Sequence, residues 1–302
     1  MTEVTAPRTF LRVTIVGPFL LVALIWGSTW YVITGQIAQA PPAWTICWRF
    51  MLATPAMFAV AALLRNSLAI GRSGHGLALL LGLIQFCANL NFVYNAELHL
   101  TSGIVAVMFA LMIVTNAALA WVILGERVTK RFWLSGVVAF SGMVLLLIHE
   151  ARFGLPRGDV MTGALLTLAG IGAASIANVL QAAKVGRALP MASLLAWAML
   201  YGTGFNALLA LATEGLPVLP SSGEFWAGLA WLAIGGSVVT FYFYYGLIRK
   251  IGAGRAAYQN ILVIIVAMLI STGLEGYRWS LLSVLGALLA LAGTVMALRE
   301  RS

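Results

Sequence analysis

Residues 91–103, NFVYNAELHLTSG, lie over residues 242–254, YFYYGLIRKIGAG, at a shift of 151, half of a chain of 302 residues. In that frame Phe92 falls on Phe243, Tyr94 on Tyr245, Leu100 on Ile251, Gly103 on Gly254 and Ala106 on Ala257. Carried forward, and after a two-residue slip, it brings Glu126 onto Glu275. A repeat on this scale predicts two like halves, residues 1–150 and 151–302. In an apolar chain, like halves point to transport, because they can rock about a site at their seam.

The composition is that of an apolar chain: 62% hydrophobic and 9% charged residues, with a mean hydropathy of +0.98. Soluble domains carry about 25% charged residues, so the solvent of this chain is lipid. Ten apolar stretches of about 20 residues, the length that crosses about 30 Å of hydrocarbon, can be cut from it. They are 14–35, 43–64, 76–96, 100–123, 132–149, 160–183, 190–212, 225–248, 255–274 and 279–298. Membrane-spanning strands would alternate polar and apolar residues, and no such alternation occurs here. The connections, such as 66–74, 152–158 and 217–223, are short and polar, leaving no room for a soluble domain.

Charge sets the expected orientation. With the N-terminus inside, Arg8, Arg12, Arg65, Arg72, Arg127, Lys130, Arg131, Lys184, Arg187, Arg249, Lys250, Arg255, Arg299 and Arg301 fall on the cytoplasmic side, 14 of 18 basic residues. Arg152, Arg157 and Arg278 fall outside and Arg49 lies within a span, so both termini are expected in the cytoplasm of a bacterial inner-membrane protein. The net charge of +9 is then a topology signal and calls for no nucleic-acid partner. Arg8, Arg12, the apolar run 13–33 and Ala38-Gln39-Ala40 imitate a secretory signal. That run exceeds the usual 7–15 residues, and its removal would leave one half short of a helix. Cys47 and Cys87 both fall inside spans, which suggests packing and no disulfide or metal site.

Five spans per half is an odd number, so the second half must enter the bilayer from the opposite face. The expected fold is therefore an all-α integral membrane protein of ten transmembrane helices, two inverted five-helix repeats around a central cavity. Inverted halves allow alternating access by exchange of their conformations. Tyr94 in the outer half of span 3 and Tyr245 in the inner half of span 8 become candidate gate or cavity-wall residues, with aromatic packing as the plainer alternative.

Several pieces then carry a family resemblance: Trp26-Gly27-Ser28 in span 1, Trp48-Arg49-Phe50 in span 2, Leu124-Gly125-Glu126-Arg127 closing span 4, and Gly136, Gly142, Gly286 and Gly293 in spans 5 and 10. In order and spacing the chain resembles the drug/metabolite transporter superfamily of the ten-helix EamA type, over nearly its whole length. Within it the chain looks most like bacterial aromatic amino acid exporters of the YddG kind, members of which are also linked to export of compounds such as paraquat. It departs from the pattern where a mid-helix proline is missing, at residues 113–116 and 262–265, and where the second Gly-Glu reads Leu274-Glu275.

The resemblance implies a central cavity lined by spans 1, 3, 4, 6, 8 and 9. The candidate lining residues on those spans are Trp26, Trp30, Asn91, Tyr94, Met108, Phe109, Asn178, Gln181, Phe241, Tyr245, Tyr258 and Gln259. They describe an aromatic, amide-bearing, uncharged surface, suited to stacking on a flat or hydrophobic side chain and to hydrogen-bonding amino and carboxyl groups. Trp44, Trp48, Trp133, Trp226 and Trp279 are better placed as interfacial anchors. Gln85 and Asn89, Asn91 and Asn95, and Asn178 and Gln181 share helix faces, which must turn toward other helices or a wet cavity; interhelical hydrogen bonds are the plainer use.

All nine acidic residues lie at or near span ends. A facilitator, or a carrier whose coupling uses no buried acid, is therefore expected. Arg49 is the charge inside a span, where it can snorkel to the interface as an anchor or attract a substrate carboxylate. Glu126 is expected to pair with Lys130 or Arg131 and fix a turn. Neither a nucleophile motif nor a metal-ligand spacing occurs, so an enzyme, a metal and a cofactor are not expected. A non-transporting receptor would make odd use of an inverted duplication. The expected partners are a small aromatic or hydrophobic amino acid and the bilayer; the sequence leaves the oligomeric state open and is compatible with a monomer.

Overall fold

The computed structural model describes residues 13–125, 129–153, 158–256 and 259–299, and these contain helices and connections but no strand. The long helices are α1 (Val13–Ile37), α2 (Pro42–Leu63), α3 (Gly71–Ala96), α4 (Ser102–Ile123), α5 (Lys130–Phe153), α6 (Val160–Ala182), α7 (Met191–Thr213), α8 (Gly223–Lys250), α9 (Gln259–Leu274) and α10 (Leu281–Arg299). Eight are long and apolar enough to cross a bilayer, while α9 and the apolar part of α10 (Leu281–Met296) are shorter. Their outward faces carry Leu24, Val122, Val137, Leu208, Leu269 and Leu288, all exposed, whereas Asn206, Gln259, Thr240 and Ser135 are buried. An exterior this apolar over a core that is also largely apolar suits a lipid surround.

Two features lie beyond what hydropathy can register. The middle of α3, Gly82–Asn89, and of α8, Trp231–Val239, is π-helical. Helix α8 also runs past its apolar stretch to Ala256, and near its end Arg249 donates to the carbonyls of Gly186 and Leu189 at 2.7 and 2.9 Å beside the short helix Lys184–Ala188.

Helix ends follow capping chemistry. Asp159 accepts the Thr162 N–H at 2.8 Å to start α6; that residue's hydroxyl and N–H hold the Asp159 carboxyl below its usual range. Gly125, at φ +71°, ends the fourth helix in the left-handed conformation that suits glycine. The start of α2 is capped from another helix: Glu214, just after α7, accepts the Ala43 and Trp44 N–H groups at 3.0 and 3.1 Å. Replacing Glu214 with alanine is expected to cost about 1–2 kcal/mol of stability, read as a lower melting temperature in detergent; an unchanged melt would mean that water caps α2 as well.

The packing has a regular plan. α2 lies on α7, α5 on α10 and α4 on α9; α1 meets α8 and α9, as α6 meets α3 and α4; and α2 meets α8 as α7 meets α3. Each of these partnerships maps onto itself or onto another when every helix is exchanged for the one five places away. Small residues permit the closest approaches. At Gly82 an added Cβ would stand 2.7 Å from the Ala198 carbonyl oxygen, which lets α3 pass close to α7.

Candidate functional site: a cavity between the helices

α1, α3, α4, α6, α8 and α9 surround a cavity of about 100 Å³, and α2 adds Arg49 to its wall. That is well under the roughly 300–1,000 Å³ of sites that hold small organic molecules. The helices must therefore part before such a solute can enter. Trp26, Trp30, Phe109, Asn178 and Phe241, all expected from the sequence, do stand on the wall. The aromatic groups are mutually braced: Trp26 lies 5.3 Å from Phe241 and 4.9 Å from Tyr244, and Trp30 lies 5.1 Å from Phe109, between ring centroids.

The other expected residues lie elsewhere. Asn91 faces α7, giving hydrogen bonds to Asn206 Oδ1 and the Cys87 carbonyl at 2.8 and 2.9 Å. Tyr94 is fully buried behind Arg49, and Tyr245 is buried against Phe241 and Tyr244, 5.7 and 5.9 Å away. Met108, Gln181 and Gln259 are buried off the wall. Tyr258 and Glu126 lie outside the described residues. Of the five expected interfacial tryptophans, Trp133, Trp226 and Trp279 are 39–43% exposed, but Trp44 and Trp48 are buried with Phe225. Stacking on each other and the Trp44 Nε1 bond to the Gly215 carbonyl at 3.0 Å draw them inward.

Sequence reasoning missed Thr29, Tyr244, Asn260 and the aliphatic residues between them, whereas Gln85 and Asn89, whose shared face was expected to meet other helices or a wet cavity, stand on the wall. A periodic signal was present for some. Four wall positions recur at the shift of the repeat: Leu90 and Phe241, Val93 and Tyr244, Phe109 and Asn260, Met112 and Val263. In the stretch where the halves agree in sequence, the wall lies one residue before the shared tyrosines.

Arg49 corrects the expectation of an uncharged surface. It does not snorkel; at 3% exposure it turns inward to the cavity. Its Nε donates to Ser237 Oγ at 2.9 Å, Nη1 to Tyr94 Oη at 3.2 Å and Nη2 to the Gly236 carbonyl at 3.1 Å. That carbonyl, which also accepts from Trp26 Nε1 at 3.2 Å, belongs to the π-helical part of α8, where the i→i+5 pattern leaves backbone groups open to side chains. The π-helical part of α3 is used alike: the Phe86 carbonyl accepts from Asn206 Nδ2 at 2.8 Å.

Some amides on the wall are satisfied. Gln85 donates to Asn89 Oδ1 at 3.2 Å, and Asn89 to the Gly170 carbonyl at 2.8 Å. Others are not. Trp30 Nε1, Tyr244 Oη and Asn260 Nδ2 are buried without a hydrogen-bond partner. A buried donor left unmade costs about 1–3 kcal/mol, which a solute or water in the cavity can relieve. Among the described residues no Asp or Glu lines this wall, although Glu97 and Glu150, at the ends of their spans, are buried at 1% and 5% exposure. A wider hollow of about 580 Å³ opens where α1 and α3 end and α8 begins, lined in part by Tyr31, Gln36, Glu97 and Glu224.

A bundle with an apolar exterior, polar side chains buried between its helices and a hollow at its centre has the build of a multi-pass membrane transporter. Within that class the chain belongs to the EamA-like transporter family, whose model matches residues 15–148 and again 161–299. It is 28% identical over 264 residues to YedA of Escherichia coli K12, an uncharacterized inner membrane transporter, covering 86% of this chain and 82% of that one. It is 26% identical over 135 residues to PagO of Salmonella typhimurium, an alignment that spans 44% of either protein. A solved crystal structure shares the fold, with a TM-score of 0.69 at 18% identity over 93% of this chain and 94% of that one.

Proposed function

We propose that this transporter moves aromatic or hydrophobic amino acids and related small metabolites across the bacterial inner membrane. The observation that carries the reading is the wall itself, where braced tryptophan, phenylalanine and tyrosine rings stand beside unpartnered polar groups. Rings of this kind stack on flat or apolar side chains, and the polar groups orient the charged end. A flat dication of the paraquat kind would meet Arg49 on the same wall, which disfavours the cationic-drug alternative.

Alternating access between two inverted halves is the proposed cycle. It is supported by the recurrence of wall positions, of π-helical segments and of packing partners at half the chain. The proposed arrangement is ten spans, five per half, with both termini on one side, and the basic residues favour the cytoplasm for that side. The hollow near Glu97 and Glu224 then faces outward. The name of YedA supports an inner-membrane location. The described residues put no carboxylate on the wall, which supports a coupling that uses no acid in the cavity.

The test is counterflow. Proteoliposomes preloaded with unlabelled tryptophan, phenylalanine or leucine are expected to accumulate the labelled solute without an imposed proton gradient. Uptake no faster than in empty liposomes, or uptake only under a proton gradient, would overturn the corresponding part of the proposal.

A further inference from the structure

We infer that Arg49 is a carboxylate-reading residue, and that the solute must present a carboxylate to the wall between α2 and α8. The inference rests on the transport reading only for placing a solute in this cavity. A guanidinium carries five N–H donors in a planar fork. The bonds to Ser237, Tyr94 and Gly236 take three of them, one from each nitrogen. One N–H on each terminal nitrogen is left over by this count, and two such donors on one guanidinium match the two oxygens of a carboxylate.

The setting favours that use. All three acceptors are neutral oxygens, so the positive charge is positioned but not neutralised by them, and a buried cation is costly without an anion. The nearby unpartnered groups extend the pattern, since Trp30 Nε1 and Asn260 Nδ2 donate only and the Tyr244 hydroxyl can donate. A wall with a fixed cation, surplus donors and no carboxylate complements an anionic, acceptor-rich group. The Tyr94 and Ser237 bonds hold the fork in one plane, as specific carboxylate recognition requires.

The experiment compares acids with their carboxamides on purified protein, by thermal shift and by tryptophan fluorescence. The pairs are tryptophan and tryptophanamide, indole acetate and indole acetamide, and leucine and leucinamide. In the wild-type protein each acid is expected to bind roughly tenfold to a hundredfold more tightly than its amide. Arg49→Gln is expected to erase the difference and Arg49→Lys to keep part of it, since an ammonium supplies charge without the fork. Equal binding of acid and amide by the wild-type protein overturns the inference without needing any variant, and so does a preference that survives Arg49→Gln. Selective binding of leucine over leucinamide, with no binding of either indole pair, supports the carboxylate role and removes the aromatic preference proposed above. No binding by any acid overturns both.

Discussion

Gly293→Leu is expected to leave little folded protein, while Gly204→Leu is expected to be tolerated. Both glycines sit in helices that face lipid in part, and sequence alone does not separate them. α5 and α10 approach so closely that a Cβ at Gly293 would run into the Ala139 nitrogen and the Ser135 carbonyl oxygen. The opposed Gly142 would meet the Ala290 nitrogen and the Gly286 carbonyl oxygen in the same way, and a Cβ at Gly286 would stand 2.9 Å from the Gly142 carbonyl oxygen. These neighbours are backbone atoms, which cannot rotate aside as a side chain can. In lipid, helix association relies on van der Waals contact and small-residue seams, because apolar surfaces gain nothing by leaving lipid for one another. Forcing the pair apart gives up the contacts of the whole seam, and overpacking already costs roughly 1–3 kcal/mol at single sites in milder settings. Gly204 has nothing within 4 Å of its notional Cβ. Fluorescence-detected size exclusion after heating should show a collapsed or strongly lowered transition for Gly293→Leu and a near wild-type one for Gly204→Leu. Matching transitions would mean that α5 and α10 do not hold each other as described.

This seam was visible in the sequence as glycine spacing, and so were the helices, because both follow from local composition. The cavity wall was less legible, for a reason the repeat makes plain. Tyr94 and Tyr245 agree between the halves and both are buried, since like halves have like packing to satisfy. The neighbouring wall positions differ, Val93 against Tyr244 and Phe109 against Asn260. The wall positions recur in the backbone frame, but packing does not require the same side chains at them in both halves. Agreement between halves thus marked the packing residues, and disagreement marked the wall. Arg49 was visible as a charge inside a span, but its inward turn depends on the Gly236 carbonyl, in the π-helical part of α8. Hydropathy carries no trace of that segment.

Trp30→Ala is the substitution expected to cut transport most sharply among those that keep the fold. The Trp30 ring packs on Phe109 across α1 and α4, its Nε1 is buried without a partner, and it stands on the cavity wall. Its loss removes a stacking face and a donor together. Aromatic contacts and buried apolar area of this size contribute roughly 2 kcal/mol, and about 1.4 kcal/mol is a factor of ten. Counterflow of tryptophan should therefore fall about thirtyfold, with a smaller loss for leucine, which has no ring to stack. Trp226→Ala supplies the comparison: Trp226 is 39% exposed and donates to the Pro220 carbonyl at 2.9 Å, away from the wall. That variant should transport tryptophan at near wild-type rates once matched for protein in the liposomes. If both variants lose transport alike, the loss is one of anchoring in the bilayer. If Trp30→Ala transports tryptophan normally, the ring-lined cavity is not where the solute passes.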